Sequence, residues 1–241
     1  MQGATEILLV IPVFNDARRL AGFAPQVAKT LLDTIPGLRL CIADDGSTAS
    51  DLASTRTIVE DMRKHGTVEL LEFPHRGKGA TVRAAWKHFP SAEWLAFVDA
   101  DGAVPAADIQ KLLESAELSG ADCLVGERTG RDGTAVRNGL ARALAHTSFA
   151  WVARRMLGLG TPDPQCGAKI VRGESFRKIE TDLHEDGFAF DCELLVALDS
   201  SGARIASVPI NWSEQSGGSV TLACDMFPML QSLSRIRRRF R

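Results

Sequence analysis

No two of the five cysteines in this 241-residue chain (Cys41, Cys123, Cys166, Cys192 and Cys224) stand at C-x-x-C spacing. An odd, scattered set excludes a disulfide framework and a zinc ribbon, and it fits reduced thiols in a cytosol. Charge of one sign is also lacking. Lys+Arg 28 against Asp+Glu 30 leaves a formal net charge of −2, so no overall basic field draws in nucleic acid. Apolar runs of about eighteen residues or more are absent, which predicts no membrane-spanning helix. The N-terminus carries no basic stretch before its strand-length apolar run at 7–13, which argues against a signal peptide. Internal repeats and low-complexity linkers are missing too. The remainder is ordinary globular composition, 45% hydrophobic and 24% charged, which excludes disorder. A chain of this length buries about 70–75% of its unfolded surface without any staple. The expectation is a single cytoplasmic domain over 1–241, soluble or peripheral to a membrane.

Short unbroken apolar runs at 7–13, 38–43, 68–73, 94–98 and 123–126 alternate with helical patterns at 16–32, to about 64, at 81–88 and at 108–117. That alternation predicts an α/β fold with a mostly parallel sheet covered on both faces. After 126 the rhythm changes. A Gly- and Arg-rich loop to 138 precedes a helix to about 157, a Gly/Pro segment at 158–167, a helix at 190–198, a strand at 205–210 and a loop at 211–219. Residues 1–126 read as the nucleotide-type half and 127–219 as the half that shapes the acceptor side.

In such a sheet, ligands bind beyond the carboxyl ends of the strands. After the first strand, Pro12-Val-Phe-Asn-Asp16 contains no glycine, which excludes a dinucleotide fingerprint and a phosphate-cradling P-loop. Asp44-Asp45-Gly46-Ser47 reads either as a turn with a helix cap or as carboxylates that read a nucleotide base. Asp99-Ala100-Asp101-Gly102 puts two carboxylates at i and i+2, where Mg²⁺ or Mn²⁺ would relieve their repulsion; a solvated turn is the alternative. Gly77-Lys78-Gly79 opens a helix and offers N–H groups and one cation to an anion, or is simply a turn.

Taken in order, P-x-F-N-D, D-D-G-S, G-K-G and D-A-D resemble a family-2 glycosyltransferase of the GT-A fold. Asp163-Pro-Gln-Cys-Gly-Ala-Lys169, the segment 187–195 and the segment 208–214 resemble its dolichyl-phosphate β-glucosyltransferase branch and the bacterial polyprenyl-phosphate relatives. The resemblance implies a Rossmann-like sheet and an inverting transfer of a hexose, glucose in that branch, from a UDP-sugar to a polyprenyl or dolichyl phosphate. It implies that Pro12, Phe14, Asn15, Asp16, Lys78, Asp99 and Ala100 line the nucleotide site, with Asp45 reading the base. Asp101, with Asp99, would hold Mg²⁺ or Mn²⁺. Arg128, Arg137 and Lys169 would hold the acceptor phosphate, with Asp163 and Gln165 on the acceptor side. Pro164, Ala168 and Glu127 depart from the branch, and all three fall on that side.

The chemistry separates two cases. An anionic phosphate acceptor needs little help from a base, so the cations would position it. A sugar hydroxyl would require Asp163 as base. Asp163 reads equally as a structural carboxylate paired with an arginine. An inactive nucleotide-sugar-binding relative, a D-x-D phosphatase and a nucleotidyltransferase are the rivals; the position of D-A-D after the fourth strand and the sequence 12–16 disfavour the last two. At the C-terminus, Met226, Met229, Leu230, Leu233, Ile236 and Phe240 recur at helical spacing among Arg235, Arg237, Arg238, Arg239 and Arg241. This basic helix, about 220–241, reads either as core packing or as a contact with the cytoplasmic membrane surface.

Overall fold

A computed structural model describes residues 5–128, 136–137, 150–213, 215 and 222–240, with the backbone alone at 136–137 and 222–227. Nine strands are described: β1 (Ile7–Val13), β2 (Leu38–Asp44), β3 (Val68–Glu72), β4 (Trp94–Val98), β5 (Cys123–Glu127), β6 (Val136–Arg137), β7 (Ala168–Arg172), β8 (Ile205–Pro209) and β9 (Trp212–Ser213). The helices are α1 (Ala17–Leu31), α2 (Ala49–Met62), α3 (Lys78–His88), α4 (Ala106–Leu118), α5 (150–157), α6 (Gly173–Ile179), α7 (Phe190–Ser200) and α8 (Leu222–Arg239). Seven strands form one sheet in the order β3-β2-β1-β4-β7-β5-β8, and β6 pairs with β9 in a small second one. Within the main sheet only β7 runs antiparallel to its neighbours β4 and β5.

The apolar runs become the central strands because both faces are covered. Every residue of β1 but Pro12, and all of β4, are buried. In α1, Leu20, Phe23, Ala24, Val27, Ala28 and Leu31 recur at three- and four-residue steps and all are buried. Thr48 caps α2 by accepting from the Asp51 N–H at 3.4 Å. α7 is buried along Phe190 to Leu198, so its sequence shows no polar stripe.

Two elements differ from the sequence reading. A strand, β7, and the helix α6 occupy 168–179, where the sequence pattern predicted neither. The strand is short and carries Lys169 at its most buried point, which masks the apolar signal. The stretch 211–219 was expected as a loop, yet Trp212–Ser213 pairs with β6. The C-terminal apolar stripe packs inward: Leu233 and Ile236 are fully buried, and Met229, Leu230 and Phe240 pack against the same core. That face is therefore not free to enter a membrane. The Met226 and Arg241 side chains lie outside the described residues.

α3 enters the fold under the segment 185–190, and Gly79 is the point of closest approach. A Cβ there would sit 2.5 Å from the Glu185 carbonyl oxygen and collide with the Phe190 side chain. Gly79→Ala should therefore destabilise the fold by about 2 kcal/mol through overpacking. Thermal unfolding would show this as a fall in Tm of about 4–8 °C.

Candidate active site

The sheet order fixes where the crevice lies. β1 pairs with β2 through Val13↔Asp44, but with β4 only through Val10↔Phe97. Beyond that point the chain leaves β1 and β4 in opposite directions, which opens a cleft between 12–16 and 99–103 at a topological switch point. Pro12 stands where β1 has already lost β4 as a partner, so its missing N–H breaks no ladder bond to that strand.

The first wall is tied to the second strand's loop. Asn15 is the only non-glycine among the described residues with a positive φ, 48°. Its N–H donates to Ser47 Oγ at 2.9 Å, and its side-chain oxygen accepts from the Thr48 N–H at 2.8 Å. Asn tolerates this left-handed backbone better than most residues, and the two bonds hold it there. Asp16 is engaged by Arg19, whose Nε donates to both carboxylate oxygens. The pair raises the Arg19 pKa, and the more distant Asp101 and Asp99 add to the rise, so this cation faces the second wall.

Asp45 does not present a free carboxylate to a base. It is buried and accepts from the Arg76 N–H (2.9 Å), the Gly77 N–H (2.9 Å), Thr81 Oγ1 (2.8 Å) and His75 Nδ1 (2.9 Å). Its carboxylate organises the loop 75–77 and the start of α3. Next to it, Asp44 Oδ1 accepts from the Gly46 and Ser47 N–H groups, while its buried Oδ2 has no partner among the described residues. An orphaned buried carboxylate oxygen costs free energy unless something binds it. Above this floor the rings of Phe14 and His75 stack 3.9 Å apart, 15° from parallel. Phe14 is 43% exposed.

The second wall carries the charge. Lys78 Nζ lies 2.7 Å from Asp99 Oδ1 and 2.9 Å from Asp191 Oδ2. Lys169 Nζ lies 2.5 Å from Asp191 Oδ1 and donates to the Cys166 carbonyl at 2.7 Å. The Phe97 ring lies 4.9 Å from the Lys78 nitrogen and 5.5 Å from that of Lys169. Burial opposes the Asp191 charge, but Lys169 and then Lys78 outweigh it and hold its carboxyl below the usual carboxylate range. Asp99 is pushed the other way. Desolvation raises its pKa and, although Lys78 opposes this, the charges of Asp101 and Asp191 keep it raised. The Asp99 side chain remains 39% exposed, so water in the crevice screens part of that effect.

Lys169 thus stands apart from its expected role. It occupies the second position of β7, opposite Phe97 on one side and Val125 on the other, and is fully buried beneath α7. Both its partners are internal, so it meets no acceptor in this arrangement. Asp163 and Arg128 find each other instead of solvent: Arg128 Nε and Nη2 donate to the two Asp163 oxygens, each at 2.6 Å, and the Arg128 N–H adds a third bond at 3.2 Å. The bidentate pair raises the Arg128 pKa despite burial. Gln165 is half-buried in the loop between this pair and β7, and Ala100 packs into the core beneath the D-A-D turn. The Arg137 side chain lies outside the described residues.

Asp101 accepts from the Ala103 N–H through Oδ1 at 3.0 Å, which leaves its other oxygen without a partner among the described residues. Asp99 Oδ1 is committed to Lys78. Hard carboxylate oxygens at i and i+2, with a raised Asp99, suit a hard divalent cation whose other positions are filled by phosphate oxygens and water. No cluster of three acidic, His or Cys side chains surrounds one point among the described residues, so the protein alone would not complete such a site. The buried thiols Cys123, Cys166 and Cys192 are pushed up to about 12 by burial and are no nucleophiles at neutral pH.

This crevice, with acidic residues after β4 on one wall and an aromatic-lined floor on the other, sits within a region that matches a known family. The model for glycosyl transferase family 2 matches residues 8–180. The chain belongs to glycosyltransferase family 2. Among its relatives is the dolichyl-phosphate beta-glucosyltransferase of Saccharomyces cerevisiae, 29% identical over 98% of this chain and 76% of that protein. The Dictyostelium discoideum protein of the same name is 27% identical over 96% of this chain and 74% of its own length. Glucosyl-3-phosphoglycerate synthase from Mycobacterium tuberculosis shares the fold at a TM-score of 0.69 and 18% identity, over 98% of this chain and 80% of that one. A second crystal structure of that enzyme holds Mn²⁺, UDP-glucose and glycerol 3-phosphate, at a TM-score of 0.62 and 17% identity, over 98% of this chain and 77% of that one. The GT-A fold expected from the motifs is the one observed.

Sequence reasoning gave no role to Asp191, Arg19 or His75. Asp191 lay inside a quoted motif, but only the fold reveals that it meets two lysines from distant segments. Asp191→Asn should cost about 3–5 kcal/mol at neutral pH by leaving two buried ammonium groups short of a counter-charge. Because the folded state lowers this carboxyl's pKa, its stabilisation is present above the ordinary carboxylate range and is lost as pH falls through the lowered value. Urea unfolding of wild type and variant should therefore differ fully at neutral pH and begin to converge only as pH falls below about 4.

Proposed function

We propose that this family-2 transferase moves glucose from UDP-glucose to the phosphate of a polyprenyl or dolichyl phosphate, with inversion at the anomeric carbon. The relatives named dolichyl-phosphate beta-glucosyltransferase support the sugar and the acceptor class. The observation that carries the choice of a phosphate over a hydroxyl is the bidentate Arg128–Asp163 pair. A hydroxyl acceptor needs a carboxylate free to take its proton. Asp163 is bound by a guanidinium, and Asp191 by two ammonium groups. A phosphate oxygen is already anionic and needs neither.

In this reading Phe14, Pro12, Asn15 and Asp16 form the donor's base and ribose side, and the unpartnered Asp44 oxygen takes over from Asp45 as the acceptor for a base N–H. Asp101, with Asp99, holds Mg²⁺ or Mn²⁺, which when bound offsets the negative charge of the diphosphate leaving group. Lys78 stands between Asp99 and Asp191, ready to face the same phosphates. Arg128 spends Nε and Nη2 on Asp163, and its Nη1 edge is the donor offered to the acceptor phosphate. An acceptor phosphate oxygen forms the new bond to C1 as the C1–O bond to UDP breaks, and the electron pair leaves on the β-phosphate. No proton is transferred, and attack from the opposite face turns an α-linked donor into a β product.

Incubation with UDP-glucose, Mn²⁺ and a short-chain polyprenyl phosphate should yield a glucosylated lipid phosphate, read by mass spectrometry. Transfer to sugar hydroxyls with none to the lipid phosphate would overturn the reading. Calorimetric titration of UDP should show binding that EDTA abolishes in the wild type and that Asp101→Asn weakens by at least tenfold. Equal binding with and without metal would remove the role given to Asp101.

A further inference from the structure

The structure assigns a membrane-docking surface to the outer face of α5: we propose that Trp151, Arg154 and Arg155 seat the enzyme on an anionic lipid bilayer. These three residues stand at i, i+3 and i+4, which places them on one side of the helix. All three are exposed, and Trp151 is the most exposed aromatic among the described residues at 65%. The opposite side is built inward: Ala153 is buried, and Val152, Met156 and Leu157 pack against the core. Neither arginine has an ion-pair partner among the described residues. A tryptophan flanked by two unneutralised cations is the composition of an interfacial contact, with the indole at headgroup depth and the guanidinium groups on lipid phosphates.

The C-terminal helix, the other basic helix, packs largely inward and leaves only Arg237 and Arg238 without an ion-pair partner among the described residues. Its apolar stripe is buried, Arg235 holds Glu185 at 3.0 Å, and Arg239 holds the fully buried Glu193. α5 is also placed well for a lipid acceptor, because the chain leaves its end at 157 and reaches Asp163 of the acceptor-side pair six residues later. This inference rests on the proposed lipid-phosphate acceptor, but the surface can be tested without any acceptor.

The test is flotation with vesicles of phosphatidylcholine, with and without phosphatidylglycerol, using the full chain. Circular dichroism serves as the check that each variant is folded. Wild type should float with the anionic vesicles alone. Arg154→Ala/Arg155→Ala should partition about thirtyfold more weakly, since each cation at such a surface is worth about a factor of five. Arg237→Ala/Arg238→Ala should match wild type. Trp86 and Trp94 are buried and Trp212 is half-buried, so the part of the blue shift in tryptophan emission on adding vesicles that Trp151→Ser removes reports on Trp151, and most of the shift should be lost in that variant. Vesicle binding that ignores the α5 variants, or that depends on Arg237 and Arg238 instead, would overturn the proposal. So would a concentration-dependent dimer that Trp151→Ser dissolves, which would make this face a contact between two copies. Glucosylation of a water-soluble, short-chain polyprenyl phosphate separates the two claims. If that succeeds while vesicles ignore α5, the surface is wrong and the function stands; if it fails while vesicle binding follows α5, the reverse holds.

Discussion

Asp191 accepts from two buried ammonium groups at once, and most of the site depends on that arrangement. Lys78 comes from the start of α3, Lys169 from near the start of β7 and Asp191 from the first turn of α7. No two of these segments are neighbours in sequence. Two like charges cannot share the space beside Phe97 unless a carboxylate lies between them, and the buried Asp191 carboxylate has a cation on each oxygen. Each member therefore requires the other two. The triad brings α3, β7 and α7 together at one point, and Asp99 at the crevice edge is its open end.

Several close approaches follow from that constraint. α7 and the segment before it must press down on α3, which leaves room for glycine alone at Gly79. The antiparallel strand β7 must run beside β4, and the Asp99 N–H donates to the Gly167 carbonyl at 2.9 Å. A Cβ at Gly167 would overlap the Asp99 carboxylate, so this glycine keeps the acceptor loop against the D-A-D turn. From behind, α8 holds the same region through two buried carboxylates. Glu193 accepts from the His184 and Glu185 N–H groups at 2.9 and 2.8 Å while Arg239 neutralises it. The basic C-terminus is thus a fastening for the segment that carries Asp191.

What the sequence made legible is what depends on local pattern. The buried parallel strands, the helices between them and the acidic turn after β4 all announce themselves by apolar runs and by residue order. The exceptions have one cause, which is pairing between distant residues. β7 went unread because a lysine is one of its five residues, and a lysine in a core strand makes sense only once Asp191 is known to cover it. Asp45 looked like a ligand for a base because nothing in D-D-G-S reveals that the loop 75–77 folds over it. The choice between Asp163 as base and Asp163 as an arginine's partner could not be made from sequence, since both readings need the same residue.

The charge states of the carboxylates then decide what chemistry the crevice can support. A site built for a hydroxyl acceptor must keep one carboxylate basic, uncommitted and close to the reacting oxygen. Here the evolved arrangement does the opposite on the acceptor side: Asp163 is bound by a guanidinium, and Asp191 is held ionised by two lysines. The carboxyl whose pKa is raised, Asp99, lies at the crevice edge, where desolvation and then the charges of Asp101 and Asp191 oppose its ionisation, a repulsion that a bound cation would relieve. The electrostatic demand is thus concentrated on neutralising the leaving diphosphate. Such a division suits an acceptor that brings its own negative charge, and it requires the protein to supply position more than proton transfer.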